Sequence, residues 1–98
     1  MKFHVEWLAL ALNDLTGIWL AANQADRITI AAAAQGVDRK LELDPANEGE
    51  SRSHGERLIF QPPLAITYRI QPRMSLVEVL EVWRTRPPRS HRPRTSDN

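Results

Sequence analysis

Apolar residues along this chain change their spacing twice, and that order of periods leaves few folds open. Phe3, Val5 and Trp7 alternate with His4 and Glu6, the period-two pattern of a short strand. From Leu8 the step lengthens to three and four. Leu8, Leu12, Leu15, Trp19 and Ala22, with Ile18 beside them, are expected on one buried face of a helix. Asn23-Gln24 interrupts that pattern. Asp26 then caps or opens a second helix, its carboxylate near the positive helix start. In that helix Ile30, Ala33, Ala34, Val37 and Leu41 share a face. The small side chains of Ala31–Ala34 are expected to let the two helices approach closely as an antiparallel hairpin. Gly36, which costs about 1 kcal/mol against alanine in mid-helix, is read as a second close-packing position.

Asp44-Pro45 ends the helix, because a residue before proline is pushed out of the α region. Residues 44–56, DPANEGESRSHGE, read as a polar loop. After it the period returns to two. Arg57 to Gln61 reads as a strand, closed by Pro62-Pro63, which cannot donate to a ladder. Leu64, Ile66, Tyr68 and Ile70 then alternate with Ala65, Thr67, Arg69 and Gln71. Beyond the turn at residues 72–75, Leu76 to Trp83 is apolar on both alternations, which suits a central strand covered on both faces. The expected order is strand, helix, helix, strand, strand, strand. Two helices that share an apolar stripe bury it on one face of a sheet. The fold class is therefore α+β: a two-layer β-α-α-β-β-β domain with a helical hairpin on a small, mainly antiparallel sheet. The domain is expected to span residues 1–86. Residues 87–98, PPRSHRPRTSDN, have no apolar residue except proline and are expected to be a disordered basic tail.

Ninety-eight residues suffice for one modest core. There is no cysteine, which excludes disulfides, thiolate chemistry and sulfur-bound zinc. His4, His54 and His91 are too far apart in sequence to form a histidine metal pair on one helix. No metal or cofactor is expected. The longest apolar segment, residues 7–22, is interrupted by Asn13 and Asp14 and is short for a membrane span, so a cytoplasmic protein is expected. The net charge of +1 hides a gradient. Residues 1–50 carry four basic against eight acidic side chains, and residues 51–98 carry nine against four. All nine of those cations are arginine, whose planar fork suits phosphate or carboxylate. The second half therefore reads as the side that meets a polyanion or an acidic partner.

The sequence resembles the RelE/ParE superfamily of type II toxin–antitoxin toxins over about residues 3–86. The matching pieces are FHVEW, the NDLTGIW of the first helix and an alanine-rich helix running into GVDRKLELDP. GESRSHGERLIF, PPLAITYRI and LVEVLEVWRTR follow in the same order. The resemblance implies a growth-arresting toxin held inactive by a cognate antitoxin, as in plasmid-stabilisation modules, with operator DNA met only through that antitoxin. It implies one of two targets. ParE-like members inhibit DNA gyrase; RelE-like members cut mRNA, usually on the ribosome. A third reading is a non-toxic relative that only binds its antitoxin.

RNA cleavage by the ribose 2′-OH needs an acid, a base and cations on the phosphoryl oxygens. For a nuclease the candidates are His54, Arg57, Arg69 and Arg84. For target or nucleic-acid binding they are Arg52, Arg57, Arg69, Arg84 and Arg86. Arg57, Arg84 and Arg86 match positions where the family is basic. Ala65 stands where many RelE-like nucleases carry an arginine, and no tyrosine or histidine follows Trp83 within the domain. These departures tilt the expectation toward gyrase inhibition. Tyr68 is expected in the core with its hydroxyl at the rim, Arg69 on the opposite face, His54 in a solvated loop and His4 exposed. Trp7 and Trp19 fit core positions, and Trp83 fits core or binding surface equally. An acidic amphipathic antitoxin segment is expected in a hydrophobic groove with a basic rim, or on a sheet edge.

Overall fold

The computed structural model describes residues 2–85; Arg86 and the expected tail lie outside the described residues. Strand β1 (His4–Trp7) leads into helix α1 (Ala9–Ala21) and helix α2 (Gln24–Leu43). Strands β2 (Glu50–Ser51), β3 (Glu56–Gln61), β4 (Leu64–Gln71) and β5 (Leu76–Arg84) follow. The sheet order is β1-β5-β4-β3-β2. Strand β1 lies parallel to β5 and every other pair is antiparallel. The expected α+β two-layer architecture is therefore present. It gains one short edge strand, β2, inside the segment read as a loop.

The helix junction is fixed by polar groups. Asn23 caps α2: its Oδ1 accepts the Asp26 N–H at 2.8 Å. Asp26 is thus in the first turn rather than at the cap. Arg27 of α2 reaches back to donate to the carbonyls of Trp19 and Leu20, at 2.8 and 3.0 Å, where α1 ends. A cation there meets the negative end of the helix dipole. At the other end of the domain, the Trp7 indole donates to Asp38 Oδ1 at 2.7 Å and ties β1 to α2.

The core lies between the helices and one sheet face. Ala11, Ala22, Ile30, Ala33, Val37 and Leu41 meet Ile59, Leu64, Ile66, Tyr68, Val77, Val79 and Val82. Two expectations for α1 fail here. Leu12 and Trp19 are exposed, and the stripe that packs inward is Ala11, Leu15, Ile18 and Ala22. The small Ala11, fully buried, lets α1 sit close to the sheet, which turns Leu12 and Trp19 outward. Gly36 does serve close approach, but to the sheet: a Cβ there would lie 3.1 Å from the Gln61 side-chain amide.

Strand β5 carries the feature that its apolar run conceals. Thr67 pairs with Glu81 but Tyr68 pairs with Val79, so Leu80 is an extra residue in β5. The bulge shifts the alternation. Val77 and Val79 face the helices before it, and Val82 and Arg84 after it; Glu81 and Trp83 face the other way. The expected covering of β5 on both faces is thus replaced by one covered face and a mid-strand change of phase. Asp14 of α1 accepts the Val82 N–H at 3.1 Å, beside the bulge. Asp14→Ala leaves that amide without its acceptor, so thermal and urea unfolding should show a loss of about 1–3 kcal/mol. A loss under about 0.5 kcal/mol would mean that the bulge stands without Asp14.

Candidate functional site

The loop after α2 is where two candidate residues are consumed by structure. Tyr68 is fully buried, and its hydroxyl donates to the Pro45 carbonyl at 2.8 Å and also contacts the Glu48 carbonyl. Arg57, opposite Tyr68 in the ladder, donates through Nε to the Glu48 carbonyl at 3.2 Å and the Tyr68 hydroxyl at 3.4 Å. Its Nη2 donates to the Gly49 carbonyl at 3.0 Å. Gly49 has φ +70°, and a Cβ there would fall 2.5 Å from the Leu58 carbonyl oxygen. Tyr68, Arg57 and Gly49 thus clamp the loop against β3. The Tyr68 hydroxyl is at no rim, contrary to expectation. Burial raises its pKa above the ordinary tyrosine value; the hydrogen bond and charge of Arg57 oppose the rise.

The remaining candidates are dispersed. Arg84 faces the helix side at the far end of β5 and pairs with Asp26 Oδ2 at 2.8 Å. It sits opposite Leu64, four residues along β4 from the partner of Arg57, which is about 13 Å of strand. Arg69 faces the opposite side of the sheet, as expected. Its Nε lies 3.6 Å from Glu78 Oε1, and Glu56 is its ladder neighbour on β3. Arg52 is exposed and pairs loosely with Glu50. His54 is exposed in a short 3-10 turn, with φ +62°. Arg57 and Arg84 share a face but not a locality, Arg69 lies on the other face, and His54 lies beyond the start of β3. Arg86 lies outside the described residues.

The apolar groove that corresponds to the expected one lies between α1 and α2, with no sheet residue in its lining. It encloses about 330 Å³ and is lined by Leu15, Thr16, Trp19, Ile30, Ala31 and Ala34. An adjoining hollow of about 390 Å³ adds Gln24, Arg27 and Ile28. The expected close helix approach at Ala31–Ala34 is therefore absent here: Ala31 and Ala34 are too short to fill the space beside α1. Trp19 and Ile28 are 40% and 69% exposed, so the groove has large apolar lips. The basic rim is one residue, Arg27, whose guanidinium lies 4.3 Å from the Trp19 ring centroid. The available signal was the excess of α1: Leu10, Leu12, Trp19 and Leu20 are more than one buried stripe needs.

Among the described residues no group of histidine, aspartate or glutamate side chains is placed to hold a metal ion. No helix among the described residues is long and apolar enough to cross a membrane. No family model matches the sequence, and no curated protein matches it. Solved structures do match. The toxin–antitoxin complex RelBE2 from Mycobacterium tuberculosis is similar with a TM-score of 0.69 at 22% identity, over 86% of this chain and 99% of that one. The chromosomal ParDE toxin–antitoxin system from P. aeruginosa is similar with a TM-score of 0.69 at 15% identity, over 87% and 98%. The isolated RelE toxin of E. coli follows with a TM-score of 0.58 at 13% identity, over 89% and 88%. The chain has the fold that RelE and ParE toxins share.

The buried Tyr68 hydroxyl loses its proton less readily than it does in the unfolded chain, where the pKa is about 10. Its contribution is complete below that value and is lost as pH rises through and beyond it. Melting curves from pH 8 to 11 should show a steeper alkaline fall for the parent than for Tyr68→Phe. At pH 8 the variant should be less stable by about 1–3 kcal/mol, since the loop carbonyls lose their donor. Parallel alkaline limbs would remove Tyr68 from the pH dependence.

Proposed function

We propose that this chain is the toxin of a type II toxin–antitoxin module and that it acts by binding, in the manner of ParE-like inhibition of DNA gyrase, rather than by cutting mRNA. The fold supports the first part. The observation that carries the second is the dispersal of the candidate cations. Transition-state stabilisation in phosphodiester cleavage requires several donors converging within hydrogen-bond reach of one phosphoryl group. Here Arg57 is engaged by loop carbonyls, Arg84 by Asp26, and Arg69 by Glu78. His54, the available acid or base, is exposed and apart from Arg84. An arrangement of this kind supplies surface charge and shape.

The antitoxin site that best fits this reading is the groove between α1 and α2. Its lining is apolar and its lips are Trp19 and Ile28, a surface fit for an amphipathic segment that lays apolar side chains into it. With Arg27 as the one cation of the lining, hydrophobic burial dominates over the electrostatic rim expected at first.

Expression without a partner should arrest bacterial growth, and co-expression of an antitoxin encoded beside it should restore growth. Purified protein should inhibit gyrase supercoiling while primer extension on cellular mRNA shows no new ends. Discrete mRNA ends that vanish in Arg57→Ala and His54→Ala would replace this reading with RelE-like cleavage. Full growth at high soluble expression would replace it with the non-toxic relative.

Ile28→Glu places a carboxylate on the apolar lip of an exposed site, so the fold should be retained. Antitoxin affinity should fall about 10- to 100-fold, or about 1.4–2.8 kcal/mol, by calorimetry on the purified pair. Unchanged affinity would move the antitoxin site off the hairpin.

A further inference from the structure

The sheet face turned away from the helices has an unusual charge. Across its middle the ladder aligns Glu6 of β1, Glu78 of β5, Arg69 of β4 and Glu56 of β3. One row further along, Thr67 stands opposite Glu81, with its hydroxyl 3.4 Å from Glu81 Oε1. Four carboxylates thus share this face with one arginine, which is ion-paired to Glu78. Leu8, Ala9, Leu10, Leu80, Glu56, Glu81 and Arg69 line a cleft of about 570 Å³ on this side. Next to it the row Phe60–Ala65–Trp83 crosses the sheet, with Phe60 and Trp83 half exposed. Between these rows Leu58, Ala65 and Thr67 are buried, while Phe60 and Trp83 stand out from the face. Its chemistry is that of a receptor for a cationic segment with flat or prolyl groups: carboxylates for guanidinium forks, aromatic faces for arginine and proline stacking.

The chain carries such a segment at the place where this face ends. Thr85, the last described residue, donates its N–H to the Pro63 carbonyl at 2.8 Å, two residues past Trp83. Their sequence, RPPRSHRPRTSDN, holds Arg86, Arg89, Arg92 and Arg94 against Asp97, with three prolines. Thirteen extended residues reach about 43 Å. From Arg84 back to the Glu78 row is about 20 Å of strand. The segment is therefore long enough to cross the aromatic row and end over the carboxylates. The charges match: three net negative on the face, three net positive on the side chains of the segment.

The geometry points to the open sheet face as an intramolecular docking surface for residues 86–98, whose arginines meet Glu6, Glu56, Glu78 and Glu81 and whose prolines meet Phe60 and Trp83. The basic segment is thereby held by the chain's own carboxylates, and a polyanion or an acidic partner must compete with them to engage it. This holds whichever target the toxin has.

The three tryptophans make the test direct, because Trp7 and Trp19 lie on the helix side and Trp83 on the open face. The chain has no cysteine, so a nitroxide attached to Ser90→Cys is its single label. In the full-length protein at about 0.01 M salt, the Trp83 indole signal should lose more than half its intensity to the nitroxide, relative to the reduced label. The Trp7 and Trp19 indoles should keep theirs. Raising salt to about 1 M, which shortens the Debye length to roughly 3 Å, should restore Trp83. So should Glu78→Gln with Glu81→Gln, whose amide spectrum reports retention of the fold. Equal loss at all three indoles, none at Trp83, or a loss at Trp83 that neither salt nor the double variant reduces, as a free seven-residue tether of about 15 Å would give, overturns the proposal. Loss that appears at isotope-labelled, unspun protein mixed with spin-labelled protein overturns it in favour of a second copy as the occupant.

Discussion

One irregularity in one strand decides what each surface of this protein presents. The extra residue in β5, Leu80, changes the phase of the strand between Val79 and Val82. A regular strand from Val77 would place Glu81 and Trp83 under the helices and Val82 on the open face. That would bury a carboxylate without a partner, at a cost of several kcal/mol. With the bulge, three valines line the core and the carboxylate joins the acidic face. Arg84 reaches Asp26 at the start of α2 by the same shift. Asp14, which from the sequence alone only interrupts an apolar run, holds the backbone at this point. The bulge, the position of α1 and the ion pair at α2 are therefore one structural unit.

This explains which parts of the fold were legible in the residues and which were not. Alternation in Phe3–Trp7 and Leu64–Gln71 announced strands because neither has a bulge. The break at Asp44-Pro45 was legible because proline acts locally. Leu76–Trp83 read as doubly covered because a bulge and a two-sided apolar strand leave the same record: apolar residues on both alternations. The buried stripe of α1 was misplaced for a related reason. Leucine and tryptophan at helical spacing outweigh alanine in any periodicity, yet Ala11 is the residue that contact with the sheet selects. Close packing favours the small side chain, and of the large ones turned outward Trp19 is left to line the groove.

The candidate site was the least legible part, and the reason is electrostatic. Arginines can be counted in a sequence, but what each one pays its charge to cannot. Arg57 neutralises the carbonyls of a tight loop that no motif marks, apart from Gly49. Arg69 was correctly assigned to the outer face, yet its ladder neighbours there are carboxylates from two other strands. A residue type therefore fixed the possible chemistry, and topology fixed the partner.

The two layers leave the protein with two dissimilar faces. The helical layer presents an apolar groove with one cation; the bare side of the sheet presents carboxylates beside two aromatic rings. Burial of apolar area is weakly dependent on salt, whereas contacts between exposed charges are screened within about 10 Å at 0.1 M. Occupancy of the groove and occupancy of the sheet face thus respond to different conditions. They also lie on opposite sides of the core, so one occupant does not sterically exclude the other. A partner bound between the helices leaves the acidic face, and whatever segment it holds, open to separate control. With Arg27, Arg57, Arg69 and Arg84 tied to backbone or carboxylates, the two surfaces differ in the kind of contact each offers.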